Sequence, residues 1–167
     1  MIRRWRDRRQ HGHTSATPPR PVGHRRQYRM SLASTWAAAK VVRRITVTLL
    51  TSWRVPPKST VHDVAVFAVT ELAANVVRHA AERSPYFELW LAVGDDGLEV
   101  AVRDGHPRLL DLPLPGPGGE SGLAAVADLA RHLGGDLTIE PAPEGGKTVR
   151  VRLPLDPPLN SPTTTVD

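Results

Sequence analysis

Apolar positions along the chain follow two different periods, and the change from one to the other marks out its elements. From Ser34 to Ser52, Trp36, Ala37, Val41, Ile45, Thr48 and Leu49 recur at helical spacing while Arg43 and Arg44 lie off that stripe, which predicts a helix. Trp53-Arg54-Val55-Pro56-Pro57 ends it, because proline disfavours helical geometry in the residue before it. A second helix is predicted over Val61–Ala80, with Val61, Val64, Ala65, Ala68, Leu72 and Val76 as its apolar stripe and Thr60 with Asp63 as a capping box. The period then shortens to two. Tyr86–Val93 and Leu98–Asp104 are rich in residues that suit a pleated surface and flank Gly94-Asp95-Asp96-Gly97, so they read as a hairpin.

Gly105 to Gly119 is rich in glycine and proline and has no apolar period, as expected of a functional or moving loop. A short helix over Ser121–Leu133 follows, capped by Gly134-Gly135. Two strands close the body, Asp136–Glu140 and Thr148–Leu153, joined by Pro141-Ala142-Pro143-Glu144-Gly145-Gly146. The order helix, helix, strand, strand, loop, helix, strand, strand predicts an α+β fold. Its form is a two-layer α/β sandwich with helices on one face of a mainly antiparallel sheet. Residues 1–29 read as a disordered Arg-rich arm, 30–155 as one folded domain and 156–167 as a disordered Pro/Thr-rich tail.

Composition sharpens this division. The net charge of +5 conceals two opposite halves. Residues 1–29 hold nine Arg and one Asp, whereas the rest holds 13 Lys and Arg against 16 Asp and Glu. The basic character therefore belongs to the arm, and the body is mildly acidic. A basic arm suits nucleic acid or acidic surfaces, but an acidic body without a reading helix argues against nucleic acid as a partner. Met30 stands where the globular pattern begins, and the excess of Arg over Lys suggests a GC-rich coding sequence, so a translation start at Met30 is a further expectation. There are no cysteines, which excludes a disulfide scaffold, thiolate metal sites and cysteine nucleophiles. No apolar run approaches the roughly 20 residues that span a bilayer, and no apolar stretch follows the charged N-terminus, so a cytoplasmic protein without a membrane partner is expected.

The chemistry is concentrated in four places. Glu71, Asn75 and His79 are spaced i, i+4, i+8 and share one side of the second helix. A carboxylate and a carboxamide one turn apart suit a hard cation, with the amide oxygen as ligand and the carboxylate orienting water or accepting a proton. His79 reads as a structural hydrogen-bonder, since no other residue has ligand spacing to it. Asp104-Gly105 follows a β-branched strand, where a carboxylate can accept from an exocyclic amine. Gly118-Gly119-Glu120-Ser121-Gly122-Leu123 offers free backbone amides at a helix start, a setting that favours phosphate oxygens. Gly145-Gly146-Lys147-Thr148 opens the last strand, where Thr148 can donate a hydroxyl to a bound nucleotide.

In this order the four clusters resemble the Bergerat-type ATP-binding fold shared by gyrase B, Hsp90, histidine-kinase and MutL domains. The resemblance covers roughly residues 32–155. Within that superfamily, Glu71-Leu72-Ala73-Ala74-Asn75-Val76-Val77-Arg78-His79-Ala80 most resembles the anti-sigma-factor serine/threonine kinases. The resemblance implies ATP and Mg2+ as cofactors. It makes Glu71 the general-base or water-orienting residue and Asn75 the Mg2+ ligand. It puts Asp104 on the adenine amine, with Gly105 allowing close approach. Gly119, Gly122 and Leu123 belong to its phosphate lid, and Thr148 supports the adenine–Asp contact. Two departures stand out. His106 occupies a position where the family often has a second glycine, and Glu120 replaces the first glycine of the lid box. Fewer glycines mean fewer freely oriented amides, and a carboxylate at the lid opposes a polyphosphate.

The implied function is transfer of the ATP γ-phosphate to a Ser or Thr of a protein partner of the sigma-factor or anti-sigma-antagonist type, with a homodimer implied on the same ground. The departures support an alternative, a non-catalytic partner-switch module in which nucleotide biases a protein interface. A histidine-kinase catalytic module fits less well, because His24 and His62 lack an acceptor setting.

Overall fold

The computed structural model describes residues 24–95, 97–107 and 122–155. In chain order these form β1 (His24–Ala33), α1 (Trp36–Ser52), α2 (Thr60–His79), β2 (Tyr86–Gly94), β3 (Gly97–Asp104), α3 (Gly122–His132), β4 (Asp136–Pro141) and β5 (Lys147–Leu153). The strands make one five-stranded antiparallel sheet in the order β1-β2-β3-β5-β4. The three helices cover one face of it, joined to the sheet by a single core that takes Val42 and Leu50 from α1, Leu72 and Val76 from α2, and Val126 from α3. The α+β sandwich expected from the pattern is the fold observed.

The first strand corrects the expected boundary at residue 30. β1 runs back to His24 and pairs with β2 through Met30 opposite Leu89 and Leu32 opposite Phe87. Tyr28, Met30 and Leu32 turn toward the core while Gln27, Arg29 and Ser31 stay exposed. This is an ordinary period of two, but in the sequence the surrounding arginines mask it. Met30, the suggested start, lies inside the strand.

Helix α1 is found where expected but with a different face inward. Ala38, Ala39, Val42, Thr46 and Leu50 are buried, whereas Trp36 and Val41 are 52% and 43% exposed. The buried face mixes alanines with Val42 and Leu50, one step round the helix from the stripe drawn through Trp36 and Val41. The cap of α2 is also corrected. Ser59, not Thr60, is the N-cap and its Oγ accepts from the His62 amide at 3.2 Å, while Asp63 Oδ1 lies 3.0 Å from His62 Nδ1. Among the described residues, α2 is the single helix long and apolar enough to cross a bilayer, contrary to the sequence expectation. Its location explains the composition: it packs against α1, α3 and the sheet, and buries residues from His62 to Val76.

The face of the sheet away from the helices absorbs much of the charge. Arg29 pairs with Glu88 at 2.9 Å and lies over the Trp90 ring at 4.7 Å, and Arg103 reaches Glu144 at 3.6 Å. Arg150, only 3% exposed, pairs with the equally buried Glu99. Cross-strand pairs of opposite charge are what an open sheet face accommodates.

Candidate functional site

A hollow of about 330 Å3, counting the space open to solvent, lies between α2 and the ends of β3 and β5. Val76 and Leu72 of α2 face Val102 of β3 and Val149 of β5 across it, and Asn75, His79, Asp104 and Lys147 supply its polar groups. Helical spacing aligns Leu72, Asn75, Val76 and His79 on one face of α2. The sheet register makes Asp104 and Lys147 direct partners.

Asp104 is 4% exposed. Its Oδ1 accepts from the His106 amide at 2.9 Å and from Lys147 Nζ at 3.0 Å, and its Oδ2 takes no hydrogen bond among the described residues. Backbone geometry holds this corner firmly. The Gly105 amide donates to Ser84 Oγ at 2.7 Å, and that hydroxyl donates to the Tyr86 carbonyl at 2.7 Å. Gly146 has φ of 83°, and a Cβ there would come within 2.0 Å of the Asp104 carbonyl oxygen, so the turn before β5 closes directly on the Asp104-Gly105 backbone.

One turn before Asn75, Glu71 meets the start of α3. A Cβ on Gly122 would lie 1.8 Å from Glu71 Oε2, so the missing side chain is what lets the helix start approach this carboxylate. The N-terminal end of α3 carries the positive end of the helix dipole. Asn75 Oδ1 accepts from Arg78 Nη1 at 3.4 Å, and the Arg78 guanidinium rests 5.6 Å from the Trp36 ring centroid.

A profile described as histidine kinase-, DNA gyrase B- and HSP90-like ATPase matches residues 62–157, more than half of the chain. The chain belongs to that ATPase family. Two solved structures resemble it in fold. The ATP-binding domain of PrrB from Mycobacterium tuberculosis is 22% identical with a TM-score of 0.45, over 75% of this chain and 96% of that one. The histidine kinase domain of the Erythrobacter litoralis EL346 blue-light activated histidine kinase has the same identity and TM-score, over 58% of this chain and 46% of its own length. No curated protein matches the chain. As a member of this family the protein carries an ATP-binding domain of the ATPase type.

Within this ATPase domain the structure brings Asn75 and Asp104 to one hollow, with Glu71 one turn along α2 beside Gly122. Gly105 lies behind the carboxylate against Ser84, and Leu123 is buried in the core under the α3 start. Gly119 lies outside the described residues, as does Glu120. Thr148 is a correction. Val149, Val151 and Leu153 point to the core, so strand alternation turns Thr148 to the opposite face, between Arg103 and Glu140, and Lys147 occupies the place at the hollow. The signal for Lys147 was present in the alternation of β5 itself. Ser84, which anchors Gly105, carries no motif in the sequence.

The hollow fits a purine in its chemistry. Its walls are largely aliphatic, Asp104 and Lys147 pair side by side at its edge, and Oδ2 of the buried carboxylate is left to accept an exocyclic amine. Among the described residues no cluster of three or more His, Asp or Glu side chains could hold a metal. The amide oxygen of Asn75 is a donor of the kind a hard cation such as Mg2+ takes.

Proposed function

We propose that the protein binds ATP with adenine in the hollow and transfers its γ-phosphate to a Ser or Thr of a protein partner of the sigma-factor or anti-sigma-antagonist type. The observation that carries this reading is the single hollow shared by Asn75 and Asp104. Asp104 Oδ2 accepts from the adenine amine, and the aliphatic side chains of Val76, Val102 and Val149 enclose the ring. The polyphosphate then runs along α2 past Asn75 toward the start of α3, where backbone amides favour anionic oxygens. Asn75 Oδ1 is the oxygen that would hold Mg2+, which when bound neutralises charge on the phosphates. Arg78, already hydrogen-bonded to Asn75, adds a second positive group beside it.

Glu71 is the acceptor for the hydroxyl proton of the attacking Ser or Thr. As that oxygen bonds to the γ-phosphorus, the bond from phosphorus to the β–γ bridging oxygen breaks. The proton goes to the Glu71 carboxylate and ADP leaves. Such transfer depends chiefly on positioning and charge stabilisation.

Calorimetric titration of the full chain with ATP, with and without Mg2+, tests the binding half. Wild type binds ATP and Asp104→Asn binds it at least about ten-fold more weakly, the loss expected for a hydrogen bond to a charged acceptor. Incubation with γ-labelled ATP and a candidate antagonist protein tests the transfer half. Label reaches the antagonist in wild type and is lost in Glu71→Ala while ATP binding persists. ATP binding without transfer by wild type selects the nucleotide-controlled partner switch instead, and absence of any adenine-nucleotide binding overturns both.

A further inference from the structure

Lys147 is the charged side chain at the hollow that the reading above leaves without a task. It is 4% exposed, and its Nζ makes one hydrogen bond among the described residues, to Asp104 Oδ1. An ammonium group has three N–H donors. Two therefore have no acceptor among the described residues, beside the aliphatic surfaces of Val102 and Val149. Unsatisfied donors of a buried cation are costly, so a lysine kept in this setting points to an acceptor supplied from outside the chain.

The pair also has a definite pattern. Lys147 and Asp104 are Cα partners across β5 and β3, so their heads sit side by side at one end of the hollow. Asp104 Oδ2 offers an acceptor, and next to it Nζ offers donors. The complement is a ligand edge on which a donor and an acceptor are adjacent. Adenine presents such an edge, with the N6 amine as donor and N1 as acceptor. Guanine presents N1–H and the 2-amino group together and satisfies them best with both oxygens of one carboxylate. Here Oδ1 already accepts from Lys147 and the His106 amide, so only one oxygen is left.

We propose that Lys147 is the specificity-determining residue of the base site: its ammonium donates to adenine N1 while Asp104 Oδ2 accepts from the N6 amine. This rests on the adenine reading of the hollow and extends it to a residue that reads the ring nitrogen directly. Lys147 keeps its bond to Asp104, so the pair remains neutral overall and suits a neutral base.

The test is calorimetric titration of the full chain with ATP, with 1-deaza-ATP, in which N1 is replaced by C–H, and with GTP. Wild type binds 1-deaza-ATP about ten- to a hundred-fold more weakly than ATP, the range expected when a hydrogen bond to a charged group is lost. GTP is also weaker than ATP. In Lys147→Met the gap between ATP and 1-deaza-ATP falls below about two-fold, because the donor that distinguishes them is gone. Equal binding of ATP and 1-deaza-ATP by wild type overturns the role of Lys147 and leaves the adenine site standing. A gap that survives unchanged in Lys147→Met, or GTP binding as tightly as ATP, also overturns it. Failure of wild type to bind any of the three overturns the adenine reading itself. Should Lys147→Met lose its cooperative melt, the comparison within wild type still decides.

Discussion

Gly122 stands directly over the Glu71 carboxylate, so close that a methyl group in place of its hydrogen would lie 1.8 Å from Oε2. The contact ties the start of α3 to the α2 residue proposed as proton acceptor. Because the obstructing atom is the end of a flexible side chain, Gly122→Ala displaces Glu71 rather than the helix. Alanine at a helical position is otherwise worth up to about 1 kcal/mol over glycine. We therefore expect Gly122→Ala to be stabilising in a Glu71→Ala background, with that gain offset in wild type. Chemical denaturation of the four chains of this cycle measures the coupling. Phosphoryl transfer by Gly122→Ala falls while ATP affinity is nearly unchanged.

Asp104 and Lys147 neutralise each other away from bulk water. Removing one charge leaves the other buried and unpaired, which costs about 3–5 kcal/mol. Asp104→Asn is expected to lose stability on that scale, and the double variant Asp104→Asn/Lys147→Met is expected to regain most of it. Urea midpoints at fixed m-value give the comparison. If the double variant is as unstable as Asp104→Asn, the pair is not what holds this corner together.

Removal of residues 1–29 cuts β1 after six of its ten residues. Residues 90–94 of β2 lose their partner strand, and the buried Leu91 loses the cover of Tyr28. A chain starting at Met30 is expected to melt about 5–10 °C below the full chain, which corresponds to a few kcal/mol for a domain of this size. Exposed strand edges also self-associate, so size-exclusion chromatography should show larger species. Thermal melts of the two chains check the prediction.

Much of this fold is legible in the amino-acid pattern because most elements bury one side and expose the other. The first half of β2 alternates between buried and more exposed positions, β3 and β5 are buried along most of their length but keep the β-branched composition of strands, and α2 shows both its apolar stripe and the Glu71–Asn75 pair. Three features were not legible from the same rules. β1 alternates as well, but Arg25, Arg26 and Arg29 give its segment the composition of a solvated tail. On α1 Trp36 and Val41 face out while Ala38, Ala39, Val42, Thr46 and Leu50 face in, so a stripe drawn through the tryptophan selects the wrong side. At the start of β5 the hydroxyl of Thr148 suggests nucleotide chemistry, yet the pleat assigns the hollow to Lys147. Ser84 acts through a single hydroxyl between two backbone groups, a role set wholly by tertiary placement.

Trp36 supplies an optical probe. Its ring is half exposed and lies under Arg78, which hydrogen-bonds to Asn75. If nucleotide draws Arg78 or Asn75 toward phosphate, the indole environment changes. Addition of ATP is expected to alter the tryptophan emission of wild type, and Trp36→Phe is expected to lose most of that change while binding ATP within about two-fold of wild type, since an exposed cation–π contact is worth only about 0.5–1 kcal/mol. Fluorescence titration set against calorimetry separates loss of signal from loss of binding.

The ladder between β3 and β5 has a consequence for how this protein tolerates insertions and deletions. Loss of one residue within Ala142–Gly145 shortens a turn and leaves every later side chain on its own side of the sheet. Loss of one residue at the head of β5 slides the strand by a single step. Thr148 would then stand opposite Asp104, three valine and leucine side chains would turn to water, and Arg150 and Arg152 would be driven into oil. A frame change too small to alter the composition would thus erase the ammonium and the core in the same stroke, so natural length variation should concentrate in the turn and spare the strand.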